Sequence, residues 1–343
     1  MRAAPTVRRG SETRKAGPRP RRDAASRASR RGVRALLVLA AVFWTACGSD
    51  GSGSGPTSIS PDEVLTFERT FVDSSRTTPA NNGYPAAPTR TLATRFWMAP
   101  DPVSGAPACG GSACALILLA HGYGGSTARF DHVGRSLAAA GYVVAAPSFP
   151  LTNDQAPGGH VPGLADAVRQ PGDLSFLIDA LGDASDPMSS RIDFERIGVV
   201  GHSLGGATVL ALTRRPCCFD ARIGASAVVA PVTALVEAFF GGYPEASGPP
   251  VLVVNGSEDP VVPPAVSREL YGRVSGSRAL LVLNDASHSD LIEDFGPEAL
   301  LAPTEELLRS HFDRHLGAGS VSPSLEDVLA ELGADGNEVA SDL

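Results

Sequence analysis

The stretch of residues 196–212 constrains the fold of this chain more than any other. A short run of branched apolar residues leads into Gly-His-Ser-Leu-Gly at 201–205, and a run rich in alanine and leucine follows. The first run predicts a buried strand and the last run predicts a helix. The Gly-x-Ser-x-Gly pattern between them is typical of a nucleophile elbow, a sharp turn that presents the hydroxyl of Ser203 at the head of a helix. A glycine-rich turn that serves packing alone is the competing interpretation.

Strand and helix patterns alternate along most of the chain. Two early runs, at 64–72 and 90–98, predict antiparallel strands joined by a loop rich in Pro, Asn and Gly. The alternation that follows predicts an α/β fold with a mainly parallel sheet and helices on both faces. Further strands are predicted at 115–120, 142–146, 197–200, 223–229, 251–254 and 279–283, and helices at 126–140, 164–181, 204–213 and 304–316.

Composition divides the chain into four predicted segments. Residues 63–316 form one catalytic α/β domain, long enough for a large core. Residues 47–62 are rich in Gly and Ser and predict a flexible linker. Residues 317–343 are acidic, with one short amphipathic stretch, and predict a tail that is a surface appendage. Residues 1–46 predict an export signal.

The predicted export signal combines arginine-rich and apolar sequence. Arginine crowds the first 34 residues, and small and apolar residues follow as far as Ala46. This apolar run is shorter than the ~20 residues that span a bilayer, and it suits the core of an export signal. The residues around Cys47 resemble the lipobox of bacterial lipoproteins, in which the cysteine is lipidated. We therefore expect a bacterial protein that is secreted or held at the cell surface; a basic tail with an unrelated cysteine is the alternative.

The chain beyond the export signal is strongly acidic. Residues 1–46 hold 12 of the 29 basic and 2 of the 37 acidic residues, so the rest carries 17 basic and 35 acidic residues, a net charge near −18. Phosphate binding needs clustered Lys and Arg. The charge therefore argues against nucleic acid as a partner.

Four cysteines, at positions 109, 114, 217 and 218, follow Cys47. An even number suits disulfides in an oxidising compartment, and the sequence leaves all three connectivities open, as well as a reduced pair at 217 and 218. A zinc site is the competing interpretation, but no histidine lies close in sequence to either pair.

A glycine-rich loop at 121–126 directly follows the predicted strand at 115–120. Ester hydrolysis passes through a tetrahedral oxyanion, which needs two preorganised N–H donors. The backbone amides of Leu204, after the nucleophile, and of Tyr123, in this loop, are the candidate donors. A plain glycine-rich turn before a helix is the alternative.

Two later strand ends offer an acid and a base. Asp259 lies in a Gly-x-x-Asp-x-x-Val-Pro pattern, where a carboxylate can orient a histidine, and Glu258 is interpreted as its solvated neighbour. His288 follows the last predicted parallel strand and can act on Ser203 first as general base and then as general acid. Because His288 fills the base role, His202 is expected to pack beneath the elbow.

Ser203, Asp259 and His288 occur in the chain order of the α/β-hydrolases, and with the loop at Tyr123 the chain resembles that superfamily over residues 63–316. Within it, the chain resembles the bacterial dienelactone-hydrolase-like, chlorophyllase-like and cutinase-like branch, which includes polyester hydrolases. True dienelactone hydrolases have a cysteine where this chain has its serine. The motifs that carry the closer resemblance lie at 121–125, 146–151 and 192–198.

The resemblance implies a serine esterase, and the spacing of the chain bears on its substrate. Only about 20 residues separate the strand after the elbow from the acid-bearing strand, too few for a separate lid domain. An open cleft would suit short-chain, lipid or polyester substrates. Tyr123, Phe130 and Phe149 are candidates for lining its acyl side, and packing in the core is the alternative for the two phenylalanines.

The predicted partner is a small-molecule or polymeric ester, acted on by a monomer. No feature requires a metal or an organic cofactor, and membrane contact is expected only through a lipid on Cys47. A phospholipid-acetyl hydrolase or a peptidase with the same triad is the enzymatic alternative. A non-catalytic lipoprotein that binds an apolar ligand at the cell surface is the alternative from another class.

Overall fold

A nine-stranded β-sheet forms the centre of the computed structural model, which describes residues 59–100, 108–294, 296–317 and 323–343. The predicted export signal, the lipidation site at Cys47 and most of the predicted linker lie outside these residues. Within the described ranges, no helix combines the length and the apolarity needed to cross a bilayer.

Most strands of the sheet are parallel. In chain order they are β1 (Leu65–Asp73), β2 (Arg90–Met98), β3 (Cys114–Ala120), β4 (Val143–Pro147), β5 (Ile192–His202), β6 (Ile223–Val229), β7 (Val251–Gly256), β8 (Arg278–Leu283) and β9 (Glu338–Asp342). They lie in the order β1-β2-β4-β3-β5-β6-β7-β8-β9. The six inner strands pair parallel to one another, whereas β1 and β2 at one edge and β9 at the other make antiparallel pairs. The prediction of a mainly parallel sheet is confirmed.

Helices cover both faces of the sheet. The α-helices of the described residues are α1 (Asp131–Ala139), α2 (Gln170–Gly182), α3 (Leu204–Arg214), α4 (Thr233–Phe240), α5 (Pro264–Arg273), α6 (Glu298–Leu316) and α7 (Leu325–Ala334). Apolar side chains of α2, α3, α4 and α5 pack in one core cluster, and those of α1, α6 and α7 pack in a second. In β3, Leu116 and Leu118 belong to the first cluster and Ile117 and Leu119 to the second. A strand buried on both faces must be apolar throughout, which explains its continuous run.

Two local predictions are refined by the structure. The predicted helix at 164–181 divides into a 3₁₀ helix, Pro162–Arg169, and α2. Pro171 lies in the first turn of α2, where its missing N–H breaks no intrahelical bond. Between β6 and β7 the chain forms only the eight-residue α4, so this segment holds no separate lid domain.

The segment after residue 317 differs from the predicted surface appendage. β9 pairs with β8 and completes the sheet, while α7 buries Leu325, Val328, Leu329 and Leu332 against the core. β9 is short, charged and mostly exposed, as edge strands commonly are, so its pattern carries little strand signal.

Two disulfides join cysteines that lie near each other in sequence. Cys109 is bonded to Cys114, at the start of β3, and Cys217 is bonded to Cys218 after α3. The structure thus selects one of the three connectivities that the sequence leaves open.

Candidate active site

Ser203 stands at the sharp turn between β5 and α3. Its φ of 54° and ψ of −113° place it in a region that residues other than glycine rarely occupy. Its amide donates to the carbonyl of Val229 at 2.9 Å, and its carbonyl accepts from Val232 at 3.3 Å. These bonds to the end of β6 and to the loop after it hold the strained residue in place, as is typical of a nucleophile elbow.

The glycines of the elbow are required by close backbone contacts. A Cβ on Gly201 would overlap the carbonyl of Gly205, and one on Gly205 would overlap the carbonyl of Ala120 in β3. The sharp turn therefore forms only where both positions lack a side chain.

The three residues predicted as a triad lie in hydrogen-bond contact. Nε2 of His288 lies 2.9 Å from Oγ of Ser203, and Nδ1 of His288 lies 2.7 Å from Oδ2 of Asp259. The other oxygen of Asp259 accepts from the amides of Val261 and Val262 at 2.7 and 2.8 Å. These amides fix the carboxylate so that it accepts a hydrogen bond from Nδ1–H, which leaves the lone pair of Nε2 free to accept the serine proton.

The neighbouring carboxylate, Glu258, is exposed and makes no contact with His288 among the described hydrogen bonds. Its amide donates to the carbonyl of Ala286, which ties the loop carrying Asp259 to the loop carrying His288. Gly256 lies at this crossing, where a Cβ would overlap the same carbonyl. The geometry therefore favours Asp259 over Glu258 as the partner of His288.

The environment of His288 keeps its imidazole neutral. Burial lowers its pKa below the ordinary value for histidine, and the nearby imidazole of His202 lowers it further. Asp259 opposes this by favouring the protonated ring. A histidine that is neutral at neutral pH can accept a proton from the serine.

The two candidate oxyanion donors flank Ser203. Leu204 is the first residue of α3, and Tyr123 lies in the loop after β3. Within the described part of the chain, neither backbone amide donates to a protein acceptor. The loop lies against Ser203, since a Cβ on Gly122 would lie 3.2 Å from Cβ of Ser203. Both amides are thus placed near the serine with a free N–H.

A series of buried hydrogen bonds links α3 to the loop that carries Tyr123. The hydroxyl of Thr208 on α3 donates to Oε1 of Gln170, whose Nε2 donates to the hydroxyl of Thr152 at 2.7 Å. The carbonyl of Thr152 then accepts from the amide of Gly124 at 2.7 Å, next to Tyr123. The sequence analysis missed Gln170, because its partners lie 18 and 38 residues away and no local pattern marks it.

His121 supports the same loop from beneath. Its Nδ1 faces the carbonyl of Gly122 at 2.8 Å, and its Nε2 accepts from the amide of Phe149 at 3.0 Å. Burial lowers the pKa of His121 to about 4. The residue is therefore a neutral imidazole that connects the loops after β3 and β4.

The proposed lining role of Phe130 and Phe149 is not supported by the structure. Phe130 is 1% exposed and packs in the core on the side of α1 and α6, while Phe149 is 0% exposed and packs on His121. Both side chains are apolar and surrounded by apolar neighbours, so packing accounts for them. The third candidate, Tyr123, is exposed, and its hydroxyl donates to the carbonyl of Val161 at 3.0 Å.

A groove of about 460 Å³ lies between the loops after β1 and β4 and does not include Ser203. The side chains that line this groove are uncharged, so it suits an uncharged ligand. The residues that line it are Thr78, Pro79, Asn81, Tyr84, Pro85, Ala87, Thr89, Thr91, Ala93, Ser148, Pro150, Leu151, Asn153 and Pro157.

Comparisons with known proteins agree with this geometry. The family model of PETase, described as PET hydrolase-like, matches residues 105–296, a span that includes Tyr123, Ser203, Asp259 and His288. Among solved structures, the chain is similar to a ferulic acid esterase from Streptomyces cinnamoneus, with a TM-score of 0.57 and 22% identity over 84% of this chain and 98% of that one. At this identity the likeness shows the fold alone. No protein of curated function matches the chain. By the family match, this chain belongs to the PET hydrolase-like family and is a carboxylic ester hydrolase with the α/β-hydrolase fold.

Proposed function

We propose that the chain hydrolyses carboxylic esters through a covalent acyl-enzyme on Ser203, with His288 as the base and Asp259 as the residue that orients it. The observation that carries this proposal is the continuous path of hydrogen bonds from the Asp259 carboxylate through His288 to Oγ of Ser203, at 2.7 and 2.9 Å. Such a path lets the serine lose its proton as it attacks.

In the first half of the reaction, Oγ of Ser203 attacks the ester carbonyl while Nε2 of His288 takes the hydroxyl proton. The carboxylate of Asp259 stabilises the imidazolium that forms. The bond between the carbonyl carbon and the alcohol oxygen then breaks, and His288 gives the proton to the departing alcohol. In the second half, His288 activates a water molecule that releases the acid from Ser203.

The amides of Tyr123 and Leu204 are the proposed donors to the tetrahedral oxyanion. Both N–H groups lack a protein acceptor among the described residues, so they can bind developing charge without breaking an existing bond. Leu204 also opens α3, and the positive end of a helix dipole favours negative charge at that place.

The proposed substrates are uncharged apolar esters, including esters of aromatic acids and polyesters. The family takes its description from PET hydrolase, and the ferulic acid esterase is named for an aromatic acid. The exposed side chains of Tyr123, Val161 and Val261 support this proposal, since they offer an apolar surface on loops beyond the carboxyl edge of the sheet. Short-chain and lipid esters fit the same surface.

We further propose that the protein is exported and anchored through Cys47. The two disulfides of the catalytic domain support export, because disulfides persist in oxidising compartments. Incorporation of labelled palmitate into the wild-type chain, and its loss in Cys47→Ser, would support the anchor. Absence of label from the wild type would refute it.

The test of the proposed reaction is burst kinetics with p-nitrophenyl butyrate. The wild type should release one equivalent of p-nitrophenol quickly, and Ser203→Ala should release none while keeping its circular dichroism spectrum. A panel of aliphatic, hydroxycinnamoyl and aromatic polyester substrates, with a platelet-activating phospholipid and a peptide amide, would then define the class. A Ser203→Ala variant that hydrolyses esters at the wild-type rate would refute the proposal.

A further inference from the structure

His202 is buried beside the proposed catalytic histidine and does more than pack. Its Nε2 lies 2.9 Å from the backbone carbonyl of His288, and its Nδ1 lies 3.1 Å from Oε1 of Glu293. His202 is 2% exposed and Glu293 is 3% exposed. The rings of His202 and His288 are 4.8 Å apart, centre to centre.

The partners of His202 determine its protons. A carbonyl oxygen only accepts, so Nε2 carries a proton that it donates to His288. Burial tends to raise the pKa of Glu293, yet this pKa lies below the ordinary value, and the guanidinium of Arg129 lies 3.3 Å from Oε2 of Glu293, where it favours the ionised carboxylate. The carboxylate is therefore ionised and also only accepts. Both hydrogen bonds of His202 form together only when Nδ1 and Nε2 each carry a proton.

His121, which follows the neighbouring strand β3, has different hydrogen-bond partners from His202. Its Nε2 accepts a hydrogen bond from the amide of Phe149, so that nitrogen carries no proton. Its pKa is lowered to about 4 by burial, and no carboxylate contacts its ring among the described hydrogen bonds. Both ring nitrogens of His202 thus face acceptors, whereas Nε2 of His121 faces a donor.

The charged groups that face His288 come from three places. Asp259 approaches from the loop after β7 and favours the protonated ring, as does Glu293 from the loop of His288 itself. His202 approaches from the elbow and opposes protonation, more strongly than Glu293 favours it. Arg129, from the 3₁₀ helix before α1, contacts the far oxygen of Glu293 at 3.3 Å.

We infer that His202 and Glu293 form a buried ion pair that positions His288, holding its loop by the backbone carbonyl and placing a positive charge beside its ring. Both are positioning residues, and the inference rests on the proposed role of His288 as base. The pair connects the elbow that carries Ser203 to the loop that carries the base, across 91 residues of sequence. The His202 end of the pair faces the ring of His288, so its positive charge keeps His288 neutral down to a lower pH.

Glu293→Gln is the variant that tests the charge. A glutamine can donate from its amide nitrogen to an unprotonated Nδ1 of His202 and accept from Arg129 through its oxygen, so each contact keeps a partner. His202 then becomes neutral while its Nε2 still donates to His288. Glu293→Gln removes the carboxylate charge as well, but His202 lowers the pKa of His288 more than Glu293 raises it. We therefore expect the ascending limb of kcat/KM against pH to move upward, by roughly half a pH unit.

The carbonyl contact is tested by two double variants that share Glu293→Gln. With His202→Phe the donor to His288 is lost, and kcat should fall about tenfold or more while KM changes little, because the base loses its position and the cleft does not change. With His202→Gln the side chain keeps an N–H donor, and kcat should largely recover. The upward shift of the pH limb should persist in this rescued variant, because the charge is still absent.

His315→Gln is the matched control, because this histidine contacts Ser277 at the opposite end of β8 and should leave the limb unchanged. An unmoved limb in folded Glu293→Gln would overturn the charge, and an unaltered kcat in the phenylalanine variant would overturn the carbonyl contact. If that variant does not fold, ¹⁵N-histidine NMR of Ser203→Ala at pH 8 decides whether His202 carries two ring protons. Retained activity in Ser203→Ala or His288→Ala would instead refute the proposed function itself.

Discussion

The carboxylate of Asp259 lies 2.7 Å from Nδ1 of His288 and thereby sets which nitrogen of the ring faces the serine. In Asp259→Asn, the amide can donate to Nδ1 and favour the tautomer that places a proton on Nε2. That tautomer cannot accept the serine proton, so we expect kcat to fall by about 10³–10⁴. Steady-state hydrolysis of p-nitrophenyl butyrate measures the loss. Glu258→Gln, an exposed neighbour, should stay near the wild-type rate, and a loss below tenfold in Asp259→Asn would contradict the assignment.

Gly205→Ala should destabilise the fold severely, because the added Cβ would overlap the carbonyl oxygen of Ala120. Both atoms are attached directly to the backbone, so neither can move aside without a shift of the backbone. We expect the free energy of unfolding to fall by about 3 kcal/mol or more. Gly272→Ala is the control: it lies in α5 with open space around it, and alanine there should be neutral or stabilising by up to about 1 kcal/mol. Urea titration compares the two, and equal stabilities would show that the elbow is looser than described.

Gln170→Leu should lower both stability and turnover. The change leaves the buried hydroxyl of Thr152 without its donor and breaks the link between α3 and the loop of Gly124. We expect a loss of about 2 kcal/mol in unfolding free energy and a lower kcat with little change in KM. Thr213→Val removes a hydroxyl that bonds only within α3 and should cost less. If both variants lose the same stability and the same turnover, the hydrogen bonds of Gln170 do not support the loop that carries Tyr123.

His311 should make the fold sensitive to acid. Burial lowers its pKa to about 3, while the unfolded chain has the ordinary value near 6.5. As pH falls below about 6.5 the unfolded state takes up the proton first, so stability is lost between that pH and about 3. From pH 7 to pH 5 this one group costs about 2 kcal/mol. In His311→Leu the difference in urea unfolding free energy between these two pH values should shrink by that amount, and an unchanged difference would exclude His311 as a source.

Local sequence predicts the parts of the site that depend on neighbouring residues. Gly201, Ser203 and Gly205 occupy one turn, so the elbow is visible in five consecutive positions. Parallel strands end at one edge of a sheet, which is why Asp259 and His288 could be expected near the serine from their places after predicted strands. The observed sheet order brings these strand ends together.

Contacts between segments that are distant in sequence cannot be predicted from local sequence patterns. Glu293 lies 91 residues from His202, and no spacing rule connects a carboxylate after the base to a histidine in the elbow. Phe149 shows the converse error, because an aromatic residue near a strand end suggests a cleft lining until its packing on His121 is seen. β9 becomes a strand only by pairing with β8, so its own five residues do not reveal it.

Labelling by a fluorophosphonate probe tests the central claim most directly, because the probe reacts with a serine that an adjacent base has activated. Mass spectrometry of the digested protein should find one equivalent of probe on the peptide containing Ser203. Ser203→Ala should take up none, His288→Ala should react far more slowly, and Ser226→Ala, which removes a buried serine of β6, should label like the wild type. Labelling that persists in Ser203→Ala, or that falls on another residue of the wild type, would contradict the account.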